Sequence, residues 1–176
     1  MKLPEPFTQD KKYINVVIET PRNCRNKYTY DPEGEFFKLT KILPEGLVFP
    51  LHFGFIPHTK GGDGDPLDVL VLMDESSFTG CVAECRVIGT LVVDQTEKSK
   101  TIRNDRIIAT AAESQGYKNV KSIADLDKNM VKEIINFMKY YNQVAGKEFK
   151  VLRYLNSAQT YKMISAKIEK THNANS

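Results

Sequence analysis

Apolar residues in the first two thirds of the chain recur in short runs of the strand type. Runs rich in β-branched residues predict strands at 13–19, 69–73, 80–87, 88–94 and 107–109. The turn-forming sequence Asp31-Pro32-Glu33-Gly34 predicts a hairpin between a short strand at 27–30 and a returning strand at 35–42. Many short strands joined by close turns are typical of a small closed β-barrel.

An aromatic run at 47–57 interrupts this pattern. It contains Pro50, Gly54 and Pro57, which disfavour a helix or a central strand. We therefore expect a buried connection at 47–57 that passes under the acidic turn that follows it. The polar stretch at 94–100 predicts a hairpin tip or loop.

The periodicity changes to that of a helix after Ser122. Apolar positions then repeat at three- and four-residue intervals, with Asp125 or Asp127 available as the N-cap and Gly146 as the stop. A strand at 149–155 and a second helix capped by Asn156 or Ser157 complete the pattern. The inward residues predicted are Val131, Ile134, Ile135, Met138 and Tyr141 or Asn142 in the first helix, and Ala158, Tyr161, Ile164 and Ile168 in the second. The predicted fold is mainly β, a closed barrel with two helices packed outside it, and has α+β character.

Composition fits one domain over 1–176, with an N-terminal arm at 1–12 and a frayed tail at 171–176. The 25 basic and 22 acidic residues give a net charge of +3, which does not favour nucleic acid or a membrane surface as partner. The N-terminus lacks a signal-like apolar core, so we expect a cytoplasmic protein. The three cysteines, an odd number, do not suggest a disulfide framework.

Three carboxylates, Asp63, Asp65 and Asp68, fall within a six-residue turn shaped by Gly64 and Pro66. Carboxylates this close repel one another unless water or a cation screens them, and hard cations such as Mg²⁺ or Mn²⁺ suit their oxygens. An ordinary hairpin turn with a solvated Asp68 fits the same residues equally well.

The sequence around this turn resembles the soluble inorganic pyrophosphatases, a single-domain magnesium-dependent family. The resemblance lies in Phe53-Gly54-Phe55-Ile56-Pro57 followed by the Asp-x-Asp-Pro-x-Asp pattern from Asp63 to Asp68. Further matching segments are 17–21, 27–28, 86–89, 105–109 and 146–147. The match therefore extends over nearly the whole chain.

The resemblance implies hydrolysis of pyrophosphate to two phosphates by a metal-activated water, on a five-stranded OB-like barrel in a homo-oligomer, expected to be a hexamer. It assigns metal binding to Asp63 and Asp68, and to Asp65 the holding and deprotonation of the attacking water. The remaining expected residues are Glu19 and Asp105 around the metals, and Lys27, Lys41, Arg106 and Tyr141 at the substrate. The expected cofactor is Mg²⁺, with Mn²⁺ as an alternative.

Several positions depart from the family pattern. They are Thr29, Phe49, Phe53, Asn104 and Asn142, where the family usually carries other polar or charged residues. Lys139 or Lys147 is available to compensate for Asn142, and Asp94, Glu97 or Asp105 to complete the metal ligands.

Two other functions are compatible with the sequence. Phe49 and Phe53 offer apolar surface for a nucleotide or another organic diphosphate. An OB-like barrel with the basic residues Arg22, Arg25 and Lys27 could instead serve as a non-catalytic binder of phosphate or nucleic acid.

Overall fold

The computed structural model describes residues 2–172 and contains nine strands and two α-helices in that range. The strands are β1 (Ile14–Thr20), β2 (Asn26–Asp31), β3 (Phe36–Ile42), β4 (His52–Ile56), β5 (Leu67–Leu72), β6 (Val82–Glu97), β7 (Lys100–Arg103), β8 (Arg106–Ala111) and β9 (Glu148–Leu155). The helices are α1 (Lys128–Val144) and α2 (Ser157–His172), and Ile123–Asp125 forms a single 3₁₀ turn before α1.

Five strands pair in the closed order β1-β4-β5-β8-β6 and back to β1. The closing pair joins Ile14–Val17 to Val82–Cys85, and β5 and β8 are the parallel pair of this ring. β7 and β9 extend from β6 outside the ring, and β2 and β3 form a separate hairpin. The prediction of a five-stranded closed arrangement with two helices is thus confirmed.

Alternate residues of β5 and β8 face two apolar clusters. Leu70 and Ile108 belong to the cluster that includes Met138 of α1, whereas Val69 and Ile107 belong to the cluster that includes Ile164 of α2. The period-two pattern of a strand buried on both faces therefore places one helix against each cluster.

β4 corrects the prediction of an irregular connection at 47–57. All five of its residues are buried, and it pairs with β1 on one side and β5 on the other. Pro50 and Pro57 lie outside the strand, so neither removes a hydrogen bond from the ladder. Gly54 has a packing reason, because a Cβ atom there would collide with the carbonyl oxygen of Val17.

β6 is one strand of 16 residues rather than the two predicted at 80–87 and 88–94. It is bent at a register shift between Val87 and Gly89, where a Cβ on Gly89 would lie 2.7 Å from the Leu155 carbonyl oxygen. The predicted loop at 94–100 is largely strand, since the turn between β6 and β7 consists of Lys98 and Ser99, with φ of +47° and +67°.

Both helices begin at residues named from the sequence. Asp127 caps α1 by accepting hydrogen bonds from the backbone of Asn129 and Met130 at 2.9 and 3.1 Å. The Asn156 side chain caps α2 by accepting from the backbone N–H of Gln159 at 2.9 Å. The inward face of α2 includes buried Thr160, while Ala158, predicted to point inward, is exposed.

The N-terminal arm docks on the ring through Phe7, which pairs with Ile14 and stacks on Tyr161 at 6.0 Å between ring centroids. The predicted frayed tail begins inside α2, and 173–176 lie outside the described residues. In the part of the chain that the structure describes, no helix is long and apolar enough to cross a membrane.

Candidate active site

A cavity of about 1110 Å³ opens between the acidic turn, the ends of β1, β4 and β8, the β2–β3 hairpin and the end of α1. Within the described residues, its lining holds six carboxylates and four cationic side chains. An excess of acids over bases repels a polyanion unless cations are bound in the cavity as well.

The acidic turn joins β4 to β5 and is fixed at its base by Thr59. The Thr59 hydroxyl donates to the Ile56 carbonyl at 2.6 Å and accepts from the Leu67 N–H at 3.0 Å. Gly64, at φ +96°, reverses the chain between the first two acids. This geometry directs Asp63, Asp65 and Asp68 into one cavity.

Asp68 is the most enclosed of these three acids, with its side chain 20% exposed and 2.8 Å from the Arg106 guanidinium. Burial raises the pKa of Asp68 to about 6, although the positive charge of Arg106 opposes that rise. Burial and the neighbouring Asp63 carboxylate also raise the pKa of Asp65, against the charges of Lys147 and Lys27. Both carboxylates therefore occupy surroundings that disfavour their negative charge.

Glu19 and Lys27 form a second, largely buried ion pair in the cavity lining. Glu19, at the end of β1, accepts from the Tyr30 N–H at 2.7 Å and from the Lys27 ammonium at 3.1 Å. The ammonium also lies 4.1 Å from the centroid of the Phe53 ring. Phe53 thus presents its face to a cation.

Two of the other predicted substrate residues are adjacent. Tyr141 of α1 lines the cavity, and the Lys41 ammonium lies 5.3 Å from the centroid of its ring. Lys41 itself does not line the cavity. Phe49 is buried against Phe137 and Tyr141, so it supports the Tyr141 ring from behind.

The structure does not bring the candidate acids of the β6–β8 region into this cavity. Asp94 and Asp105 lie 3.6 and 3.7 Å from Arg103, and Asp105 accepts from the Val93 N–H at 2.9 Å. Glu97 lies 3.3 Å from Lys147. At this wall the cavity is lined instead by Asn104 and Gln95, which are hydrogen bonded to each other at 2.8 Å.

Gln95 is a cavity residue that the sequence did not reveal. Its strand was expected to end at residue 94, so the alternation that carries Gln95 to this wall was missed. Extending the predicted strand by two residues, with its alternation of side chains between the two faces, would have placed Gln95 on the cavity wall.

Comparison with known proteins identifies the relatives of this chain. Residues 16–172 match the family model for inorganic pyrophosphatase. The inorganic pyrophosphatase of Halalkalibacterium halodurans is 36% identical over 156 residues, which cover 88% of this chain and 93% of the relative.

The chain belongs to the inorganic pyrophosphatase family.

Solved structures of the family share the fold. The inorganic pyrophosphatase of Thermus thermophilus is 32% identical, with a TM-score of 0.87 and coverage of 97% of each chain. That of Helicobacter pylori is 28% identical, also with a TM-score of 0.87, and covers 98% of this chain and 99% of the other. The resemblance read from the Asp-x-Asp-Pro-x-Asp turn is therefore confirmed.

Among the described residues, no group of three or more His, Cys, Asp or Glu side chains is already arranged as a metal site. The donor set of the acidic turn nevertheless fits a hard cation, because its carboxylates share one cavity and burial disfavours the charge of Asp65 and Asp68. A divalent cation beside them would add to the positive charge that Arg106 already supplies to Asp68.

Proposed function

We propose that this protein hydrolyses inorganic pyrophosphate to two phosphates. The observation that carries the proposal is the convergence of Asp63, Asp65 and Asp68 with Lys27 and Arg106 in one cavity of a pyrophosphatase-family chain. Acidic ligands for cations and basic ligands for phosphate are the two requirements for attack on a highly charged anhydride.

The cofactor we assign is Mg²⁺, with Mn²⁺ as an alternative. Asp63, Asp65 and Asp68 would hold it, and Glu19 would act through water. When bound, such ions would neutralise the charge of the phosphate oxygens. They would also lower the pKa of a water molecule bound to them to a value near neutral pH. We keep Asp105 outside this set, since it is bonded to the Val93 backbone and lies near Arg103.

The chain's own residues divide the remaining tasks. The Asp65 carboxylate is exposed toward the cavity and accepts the proton of the attacking water. Lys27 and Arg106 donate to the phosphate oxygens, and Arg106 can do so in bidentate fashion. Tyr141 closes the cavity on the side of α1, and Lys41 acts by holding its ring.

Phosphate release from magnesium pyrophosphate tests this function. We expect purified protein to release phosphate and the Asp65→Asn variant to lose at least about 100-fold in kcat, because general-base catalysis typically contributes that much. Glu133→Gln, an exposed carboxylate on α1, is the matched control and keeps wild-type kcat. Absent activity, or an active Asp65→Asn protein, would refute the proposal.

An organic diphosphate is the second candidate substrate. The cavity wall includes Phe53, Phe55 and Tyr30, and the last two stack at 5.7 Å between centroids. Such a surface could hold a base or another apolar group. Comparing kcat/KM for pyrophosphate, ADP and dimethylallyl diphosphate decides between an inorganic and an organic substrate. A higher kcat/KM for pyrophosphate excludes the organic diphosphate.

We also propose a homo-oligomer, which the family resemblance suggests is a hexamer, in the cytoplasm. Large apolar side chains exposed on this single chain, such as Tyr140, Leu152 and Tyr154, support association. Light scattering coupled to size-exclusion chromatography measures the mass. A mass of one chain at micromolar concentration would refute the oligomer.

A further inference from the structure

Two of the cations that line the cavity are held by acids within it. Lys27 lies 3.1 Å from Glu19, and Arg106 lies 2.8 Å from Asp68. Their side chains are 12% and 5% exposed, so both charges are largely enclosed with a partner. A polyanionic substrate therefore competes with internal carboxylates for each of them.

Lys147 is differently placed. It follows Gly146, which ends α1 at φ +73°, and its N–H donates to the Asn142 carbonyl at 2.9 Å. This turn projects its side chain to the boundary between the main cavity and an adjoining cavity of about 430 Å³. Lys147 lines both.

The partner of Lys147 is Glu97 at the end of β6, 3.3 Å away. The two side chains are 34% and 50% exposed, so water and salt screen their attraction. Such exposed pairs contribute little to stability. Lys147 can therefore exchange Glu97 for a phosphate oxygen with little loss of free energy. Before substrate binds, Glu97 at the end of β6 holds the ammonium group beside the cavity.

Neighbouring residues of α1 cannot take this role. Asn142 lines the cavity but carries no charge; it is 3% exposed and donates one of its two side-chain N–H groups to the Met138 carbonyl at 2.7 Å. Lys139 is exposed but does not line the cavity. At this end of α1, the cation that reaches the cavity comes from the turn after the helix.

We propose that Lys147 binds a phosphate group of pyrophosphate and that Glu97 holds Lys147 at the mouth of the cavity in the free protein. This rests on the proposed function and adds a substrate-binding residue to it. The negative charge that Lys147 meets is present in bound substrate as well as in the transition state. Its contribution therefore appears mainly in KM rather than in kcat.

Steady-state kinetics with magnesium pyrophosphate test the role of Lys147. We expect Lys147→Gln to raise KM about tenfold or more, the size of a hydrogen bond to a charged group, with kcat within about threefold of wild type. Lys147→Arg restores most of the affinity because it keeps the charge. The matched control, Lys139→Gln, keeps wild-type KM.

Glu97→Gln tests the holding contact separately. Removing the competing carboxylate releases Lys147, so we expect KM to fall or stay constant, and a tenfold rise would refute the role of Glu97. Calorimetric titration with methylenediphosphonate in Mg²⁺, which is bound but not cleaved, should show the same order of affinities. Unchanged KM and Kd in Lys147→Gln overturn the role of Lys147 alone, whereas a wild-type protein that releases no phosphate overturns the proposed function and this inference together.

Discussion

At the scale of residues, the candidate site combines groups that the sequence reveals with pairings that it does not. The acids at 63, 65 and 68 are recognisable because their spacing is local and their turn residues are distinctive. The pairing of Asp68 with Arg106 joins β5 to β8, and that of Glu19 with Lys27 joins β1 to β2. Such contacts depend on strand register, which local patterns do not specify.

The same limit explains the unresolved choice among Asp94, Glu97 and Asp105. All three occur close together in sequence, and none of them lines the main cavity: Asp94 and Asp105 lie near Arg103, and Glu97 is paired with Lys147. The charge of a residue does not tell which face of a bent strand it occupies. The choice between Lys139 and Lys147 was open for a similar reason, since it depends on how the chain turns after α1.

Metal affinity should depend on pH through Asp68. Its pKa is raised to about 6, and the protonated carboxyl is a poor ligand, so bound Mg²⁺ must displace the proton. We expect the Kd for Mg²⁺, measured by calorimetry without substrate, to be nearly constant above pH 7. It should rise up to about tenfold per pH unit below 6, with proton release on binding detected in buffers of different ionisation enthalpy. Equal Kd values at pH 7.5 and 5.0 would contradict this.

At the scale of elements, strands with clear alternation and helices with clear caps were predictable. The Asp127 and Asn156 caps are examples in which one side chain marks the start of a helix. β4 was not predictable, because prolines beside a strand look like prolines within it. The sequence predicts two strands, 80–87 and 88–94, in place of β6, because the close packing of neighbouring Gly89 against Leu155 appears only in three dimensions.

Gly54 should be a sensitive position in β4. Gly54→Ala forces its Cβ against the Val17 carbonyl, which is backbone and cannot rotate away, so β1 and β4 must separate. We expect a loss of about 3 kcal/mol or more in the free energy of unfolding by urea. Gly46→Ala is the control. Gly46 has open space around it, and only its φ of +79° opposes a side chain, so a loss of about 1 kcal/mol is expected.

At the scale of the whole molecule, His52 ties distant parts of the chain together. Its Nδ1 accepts from the Arg22 N–H at 3.2 Å, and its Nε2 lies 3.1 Å from the Glu75 carbonyl. The neutral ring, with Nε2 as donor, satisfies both contacts. Burial lowers the pKa of His52, the Glu75 hydrogen bond opposes this, and the charge of Arg22 lowers it further.

Stability should therefore fall in acid through this residue. The unfolded chain binds a proton at His52 near pH 6.5 and the folded chain only at lower pH, so its contribution is present above 6.5 and is lost as pH falls. Comparing urea unfolding of wild type and His52→Gln at several pH values separates the contribution of His52 to the unfolding free energy from that of the other titrating groups. We expect the wild type to lose up to about 1.4 kcal/mol more than the variant per pH unit between 6.5 and the folded pKa. Parallel pH profiles for the two proteins would contradict the prediction.

The closed ring of strands also has a consequence for how fast the chain reaches its native state. The second edge of β1 forms its hydrogen bonds only when it pairs with β6, which lies about 70 residues later in the chain. Pairings of such sequence separation carry a large loop-closure cost, and chains dominated by them fold in milliseconds to seconds rather than microseconds. During synthesis, the first strands leave the ribosome with open edges, so self-association of incomplete chains is the hazard that closure of the ring ends.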